Sequence, residues 1–418
     1  MSKYEKKEVE ILRSRLAENP KSIIFIAGPR QVGKTTLVID ALSNLNTKQY
    51  KFAPADQPDT TDWTLSDLRG DVAESISVNK DAKWLVRIWQ QARVEASRND
   101  KPYILVIDEI QKIPDWSEAV KGLWDFDRAN KINLHIVLLG SSPLLMQQGM
   151  SESLAGRYEL IRITHWSFIE MNKAFNFTLD QYIYFGGYPG GASLIRQESR
   201  WRDYVRDSLI QPSIDLDILM MTRVDKPALL KQLFKLSCSY SGQILAYSKL
   251  LGQLQDAGNT VTLASYLDKL GDAGLIVGLN KYASQPHRRR SVPKLNVLNT
   301  ALMSVESGYT FEEALADRTF WGRMVESAVG AHLHNSGHPE IQTYYWRESP
   351  LEVDFVLNKG KRNIAIEVKS GAKNGSMSGL NEFEKNFGKC RKILIGNGGT
   401  SIVDFLSYPA EHWFEKET

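Results

Sequence analysis

SIIFIAGPRQVGKTT (22–36) is the stretch whose reading decides the first part of the fold. Its opening run, IIFIA, is short and apolar throughout, the mark of a strand buried on both faces. Gly28-Pro-Arg-Gln-Val-Gly33-Lys34-Thr35 then fits G-x-x-x-x-G-K-[ST], and LVIDALSNL (37–45) takes helical spacing. A glycine loop between a buried strand and a helix start is where phosphate is cradled. The glycines let backbone N–H groups wrap the oxygens, and the helix aims its positive end at them. The spacing therefore assigns Gly28, Pro29, Arg30, Gln31, Val32, Gly33, Lys34, Thr35 and Thr36 to ATP. Lys34 would reach the β- and γ-phosphates, and the Thr35 hydroxyl would ligate Mg2+. No specific role for Arg30 follows from the sequence.

Working outward, YILVIDEI (103–110) reads as a second buried strand and LHIVLLGSS (134–142) as a third. The second ends in Asp108 and Glu109. A carboxylate at a strand end beside the phosphate loop holds Mg2+ through water, and its neighbour can polarise the attacking water. That pair points to a hydrolase, with Asp108 on the metal and Glu109 as catalytic base. The third strand ends in Ser141 and Ser142. A hydroxyl there would touch the γ-phosphate or its water; the alternative is a plain strand-to-loop turn. Arg157, in SLAGRYEL (153–160), could be presented to a neighbouring subunit's nucleotide, or it is an ordinary surface arginine. Residues 50–75 are polar and read as loops. Strands alternating with helices predict a parallel α/β sheet ending near residue 165.

Composition bounds the rest. A chain of 418 residues exceeds one ordinary domain. Apolar residues make up 42%, enough for real cores. The net charge of +3 does not mark a nucleic-acid binder, so any such surface must be a local basic patch. Cys238 and Cys390 are far apart, which excludes a disulfide framework and a cysteine zinc site. The seven histidines are scattered, and none is assigned as a ligand. The start lacks the apolar core of a signal peptide, and the apolar runs are strand-sized. The expectation is a soluble cytoplasmic protein with no membrane contact.

Residues 166–225 carry helical patterns broken by GGYPGG (186–191). SYLDKLGDAGLIVGL (265–279), the basic KYASQPHRRRSVPK (281–294) and KLNVLN (294–299) then give the order helix, strand, basic loop, strand, which predicts a winged helix. Its recognition helix would lie near Thr260–Lys269. His287, Arg288, Arg289 and Arg290, with Lys281 and Lys294 nearby, would lie against the phosphates of DNA. The alternatives are a solvated loop or a surface for an acidic partner subunit.

Beyond residue 311 come a helix, TFWGRMVESAVGAHLHN (319–335), and strand-like YYWR, EVDFVLN, NIAIEVKS and KILIG. Asp354, Glu367 and Lys369 fit the D…[DE]-x-K arrangement of restriction-endonuclease-like nucleases. Residues two apart share a face of a strand, and NKGKRN (358–363) suits a hairpin loop. Asp354 and Glu367, with Glu326 on the preceding helix, would hold a second divalent metal, Mg2+ or Mn2+, that activates water. Lys369 would orient that water. The alternative is a hairpin with solvated charges.

The runs GPRQVGKTT, LVIDEIQKIPDW, LLGSS, LAGRYEL, GGYPGG, SYLDKLGDAGLI and YYWRESPLEVDFVL…IAIEVKSG together resemble a family of bacterial and archaeal AAA-type ATPases. The resemblance spans nearly the whole chain. It implies Mg-ATP at Gly33, Lys34, Thr35 and Asp108. The family often shows Asp and Gly where this chain has Asn299 and Thr300, which leaves the role of those positions open. The expected architecture is an α/β, P-loop NTPase of AAA type (1–165), a helical lid (166–225), a winged helix (226–310) and a restriction-endonuclease-like α/β domain (311–418). Two functions fit. One is a homo-oligomeric ATP-driven machine acting on DNA with a nuclease-like domain. The other is an ATP-controlled switch whose nuclease-like domain is an inactive scaffold. A protein-remodelling machine ranks behind both.

Overall fold

The computed structural model describes residues 4–56, 80–98, 101–140, 153–220, 222–254, 259–283, 292–371 and 377–415. They form two compact units, one of residues 5–163 and one of residues 164–418 with the first few residues of the chain.

In the first unit the strands are β1 (Ile23–Ala27), β2 (Tyr50–Pro54), β3 (Tyr103–Asp108), β4 (Leu134–Gly140) and β5 (Tyr158–Arg162). They lie in the order β2-β3-β4-β1-β5 with every neighbouring pair parallel. Strands β1, β3 and β4 are buried at every position, which explains their unbroken apolar runs. Alternate residues separate onto two faces. Phe25, Leu105, Ile107, Ile136 and Leu138 pack with helices α3 (Ala82–Ser97) and α4 (Trp116–Ala129). Ile24, Ile26, Val106, Val137 and Leu139 pack with α1 (Lys7–Ala17) and α2 (Lys34–Leu42). The result is a sheet between two helical layers, with all strand C-terminal ends on one edge.

The expectation of loops over 50–75 fails at β2, which is a strand. Both β2 and β5 are edge strands and mostly half-buried. Each keeps polar residues among its apolar ones, so neither presents an apolar run. Their strand state comes from pairing with β3 and β1 instead. Pro54 is tolerated at the end of such an edge strand. Residues 57–79 lie outside the described residues.

The second unit carries β6 (Ile276–Lys281), β7 (Lys294–Val297), β8 (Gln342–Glu348), β9 (Leu351–Lys359), β10 (Arg362–Lys369) and β11 (Arg391–Gly396). Their order is β11-β10-β9-β8-β6-β7. Strands β8, β9 and β10 form an antiparallel meander; β10 and β11 are parallel, with helix Ser378–Phe387 between them in the chain. The β6–β7 hairpin joins the same sheet, because β6 pairs parallel with β8. Helices Pro227–Ser239, Tyr247–Gln253 and Thr260–Asp272 precede that hairpin, and helix Arg318–Ser336 precedes β8.

Asn299 and the GGYPGG segment form one knot. The Asn299 Oδ1 accepts hydrogen bonds from the Gly187 and Ala301 amides, each at 3.2 Å. A Cβ on Gly186 would lie 1.9 Å from that oxygen. His165 Nε2 lies 2.7 Å from the Gly274 carbonyl, which can only accept, so Nε2 carries the proton. Nδ1 then accepts from the Asn299 amide at 3.2 Å. Asn299 is thus a buried structural linchpin. Asn299→Ala strands two buried amides, each worth about 1–3 kcal/mol when left unpaired. Urea denaturation should show a loss of at least about 1 kcal/mol; an unchanged midpoint would contradict the knot.

Candidate functional site

The phosphate loop follows β1, at the edge where the parallel strands end. Gly28 is pressed against the chain after β5: a Cβ there would sit 2.0 Å from the Ile163 carbonyl oxygen. Val32 is fully buried among the α1 and α2 side chains and pins the middle of the loop. Gln31 and Gly33 turn through the left-handed region, at φ 59° and 90°. Helix α2 starts at Lys34, and its first hydrogen bond runs from the Leu37 amide to the Gly33 carbonyl, 2.9 Å. Thr35 and Thr36 are exposed on the first turn.

The Lys34 ammonium is buried and donates to the Gly28 and Pro29 carbonyls, at 3.0 and 2.8 Å. These acceptors stand in for solvent around a charge that could not otherwise be buried. Exchanging them for phosphate oxygens keeps the ammonium satisfied, which is the chemistry expected of this position.

Strand β4 lies between β1 and β3, yet the shared C-terminal edge brings the carboxylates to the loop. The Thr35 hydroxyl donates to Asp108 Oδ2 at 2.7 Å, and the Glu109 amide donates to Asp108 Oδ1 at 2.9 Å. Thr35 and Asp108 are thus two hard oxygen donors in contact, a set that suits Mg2+. Burial pushes the Asp108 carboxyl up, against the pull of the Thr35 hydroxyl and the Glu109 amide. Burial also raises Glu109, against the pull of Lys34. Arg30 adds a smaller pull on Glu109, so its charge reaches this site. Glu109 itself sits at φ 53°, a conformation uncommon outside glycine and worth its strain at a working residue.

Gln111 is the residue that sequence reasoning missed. It is buried, and its side-chain amide donates to Glu109 Oε2. Its own Oε1 is buried without a hydrogen-bond partner among the described residues. The signal was an amide two residues past the glutamate in DEIQ. Ser141 and Ser142 lie outside the described residues. Arg157 lies at the opposite end of the sheet from the loop: Tyr158 pairs with Ile23, the first residue of β1. It is held by Asp125 at 2.8 and 3.1 Å and takes no part in its own chain's site.

The second constellation assembles in the second unit around a residue read differently in the sequence. Lys294, which the sequence places beside the basic loop, is fully buried at the start of β7. Its ammonium lies 2.6 Å from Glu326, 3.4 Å from Asp354 Oδ1, 3.7 Å from Glu352 and 3.1 Å from the Asp354 carbonyl. Asp354 Oδ2 accepts from the Val368 amide at 2.8 Å. Lys369 pairs with Glu367 at 2.6 Å. Burial pushes Glu326 and Glu367 above the usual carboxylate range, against the pull of these lysines. Glu326, Asp354, Glu367 and Lys369 are therefore neighbours. Among the described residues, however, no group of three or more His, Cys, Asp or Glu side chains is arranged to hold a metal ion. Arg288, Arg289 and Arg290, with His287, lie outside the described residues.

Residues 20–172 match the model of an AAA domain. Residues 176–312 and 321–408 match two domains of unknown function, DUF8612 and DUF4143. An uncharacterized protein of Mycobacterium tuberculosis is 25% identical over 85% of this chain and 72% of its own length. Another, from Methanocaldococcus jannaschii, is 24% identical over 63% and 60%. A third, from Haemophilus influenzae, is 26% identical over 69% and 70%. The Orc1 protein of Aeropyrum pernix, solved in complex with DNA, superposes with a TM-score of 0.29 at 14% identity, over 74% of this chain and 93% of that one. A structure described as the basis of katanin self-assembly gives 0.26 at 18%, over 40% and 53%. Superpositions this shallow leave the argument to the domain match, the sheet order and the loop. Among the described residues no helix is long and apolar enough to cross a membrane. The first unit thus carries an AAA domain match on an α/β fold whose parallel sheet ends at the G-x-x-x-x-G-K-[ST] loop.

Glu109 yields a stability prediction. Its pKa is raised in the folded chain, so between its ordinary and raised values the folded state holds a proton that the unfolded state lacks. Folded stability therefore falls as pH rises through that window. Glu109→Gln removes the charge, and in nucleotide-free protein it should raise the melting temperature at pH 7–8. The gain should shrink as pH falls toward ordinary carboxylate values. A melting temperature that drops at pH 8 would contradict the assignment.

Proposed function

We propose that the chain hydrolyses ATP in a Mg2+-dependent reaction at Lys34, Thr35, Asp108 and Glu109. The observation that carries this is the 2.7 Å bond between the Thr35 hydroxyl and Asp108, with Glu109 adjacent. Thr35 and Asp108 would hold the metal, Asp108 directly or through water. A metal held there would supply positive charge to offset that developing on the phosphate. Lys34 turns from the Gly28 and Pro29 carbonyls to the β- and γ-phosphates. Glu109, its basicity raised by burial, takes a proton from the attacking water. Gln111 holds the Glu109 carboxylate until nucleotide is seated. Ser141 or Ser142 remains the proposed γ-phosphate contact, and Arg157 is proposed to act, if at all, on a neighbouring subunit of a homo-oligomer.

For the second unit, three helices followed by the β6–β7 hairpin support a winged helix, and Arg288, Arg289 and Arg290, which lie outside the described residues, remain the proposed DNA contacts. The helix, three antiparallel strands, helix and parallel strand support a restriction-endonuclease-like fold, with Asp354, Glu367 and Lys369 close together. One observation favours the switch over the cutting machine: the acids of that cluster are already met by Lys294 and Lys369. In the switch, ATP state governs assembly and DNA contact, and the nuclease-like domain is a scaffold.

Two variants test the ATPase. Lys34→Ala should weaken ATP binding by at least about thirtyfold, as expected for loss of a charge-assisted contact worth about 2 kcal/mol. Glu109→Gln should bind ATP normally and lose turnover by about 10²–10⁴-fold. Unchanged hydrolysis in both would sink the site. Adding duplex DNA to the wild-type assay tests the DNA contact: the winged-helix reading expects a change in turnover or in light-scattering mass, and no change in either would count against it.

A further inference from the structure

Three carboxylates in the second unit, those of Glu326, Glu352 and Asp354, converge on one point, and the point is already occupied by a lysine. We infer that Lys294 is the resident cation of the Glu326–Glu352–Asp354 cluster, that its ammonium stands where a divalent metal would, and that the cluster binds neither Mg2+ nor Mn2+. This rests on the endonuclease-like reading, which is what makes a metal expected there.

The geometry makes the case. Lys294 is fully buried, and the oxygens around it are contributed by helix Arg318–Ser336 and by β9. An ammonium has three protons to place, and here Glu326, the Asp354 carbonyl and Asp354 Oδ1 lie at 2.6, 3.1 and 3.4 Å. The Phe355 ring faces the same ammonium at 4.9 Å from its centroid, so one side is closed by an aromatic face rather than water. A Mg2+ ion draws its oxygens in to about 2.1 Å. To gather Glu326 and Asp354 at that distance it would have to expel a like charge from between them.

Lys294 has no easy exit. Its backbone sits in β7, paired with Leu279 of β6, and the next residue donates its amide to Gln243 at 3.0 Å. Burial by itself would lower the lysine's pKa, but Glu326 and Asp354 more than reverse that, so the charge persists. Of the other acids nearby, Glu367 meets Lys369 through Oε1 at 2.6 Å while its Oε2 is buried with no hydrogen-bond partner among the described residues, and Glu352 lies 3.7 Å from Arg347. A buried acid group whose partner is removed is left uncompensated, so taking Lys294 away should create the cation site that its presence blocks.

The test is a Mn2+ titration of the full chain without nucleotide, followed by the electron paramagnetic resonance of free Mn2+. Any Mn2+ held near Thr35 and Asp108 is common to all samples and cancels. Wild type and Asp354→Asn should give the same stoichiometry. Lys294→Met should gain one equivalent, and Lys294→Met/Asp354→Asn should lose it again. Two outcomes overturn the inference. Wild-type Mn2+ that disappears in Asp354→Asn or in Glu326→Gln leaves the endonuclease-like reading standing and shows that Lys294 does not block the site. A folded Lys294→Met that gains no Mn2+ shows that the acids do not form a metal cage at all, so the reading fails with it. Should Lys294→Met not fold, the comparison of wild type with Asp354→Asn and Glu326→Gln still decides whether the native cluster holds metal.

Discussion

A buried ammonium must be surrounded by oxygens, and each unit of this protein is arranged around one. In the first unit the ammonium belongs to Lys34, held by the Gly28 and Pro29 carbonyls. Those acceptors are neutral, so an anion arriving at the loop can replace them at a gain in Coulomb energy. In the second unit the ammonium belongs to Lys294, held by carboxylates. There the countercharge is already built in, and nothing anionic is called for. The same side chain is thus poised for a ligand in one place and locked in the other, and the difference lies in the charge of its acceptors.

The sheet of the first unit serves that arrangement. Parallel strands put all their C-terminal ends on one edge, so the loop after β1 and the carboxylates after β3 meet although β4 separates them. Gly28 lies tight against Ile163, and Val32 is sunk among the α1 and α2 side chains. With the loop held at both points, Thr35 reaches Asp108 without further adjustment. The site is in this sense preorganised: its polar groups already bond to one another in the geometry in which they would meet a metal and a phosphate.

What could be read in advance follows from locality. The phosphate loop, the Asp108–Glu109 pair and the three inner strands are contiguous patterns, and each carries its own apolar run. Edge strands β2 and β5 escape such reading because half of their environment is solvent and their pairing partner is distant in the chain. Lys294 escapes it more completely. In sequence it closes a basic loop, and only the fold brings it to Glu326 and Asp354, so a cation that looked solvent-facing is fully buried. Asn299 stood out as a departure from a family pattern, but its meaning came from contacts with Gly187 and His165, more than a hundred residues away. Gln111 lies beside the Asp108–Glu109 pair, yet its role depends on a side-chain contact with Glu109 that no spacing announces.

The account stands on turnover at the Lys34–Asp108–Glu109 site. The most direct measurement is a single-turnover assay, with protein in excess over γ-labelled ATP and phosphate release followed with Mg2+ and with a chelator. The account predicts that bound ATP is converted to ADP and phosphate only when Mg2+ is present. ATP that stays bound and intact over many hours with Mg2+ would contradict it, leaving a nucleotide-binding loop without a hydrolase.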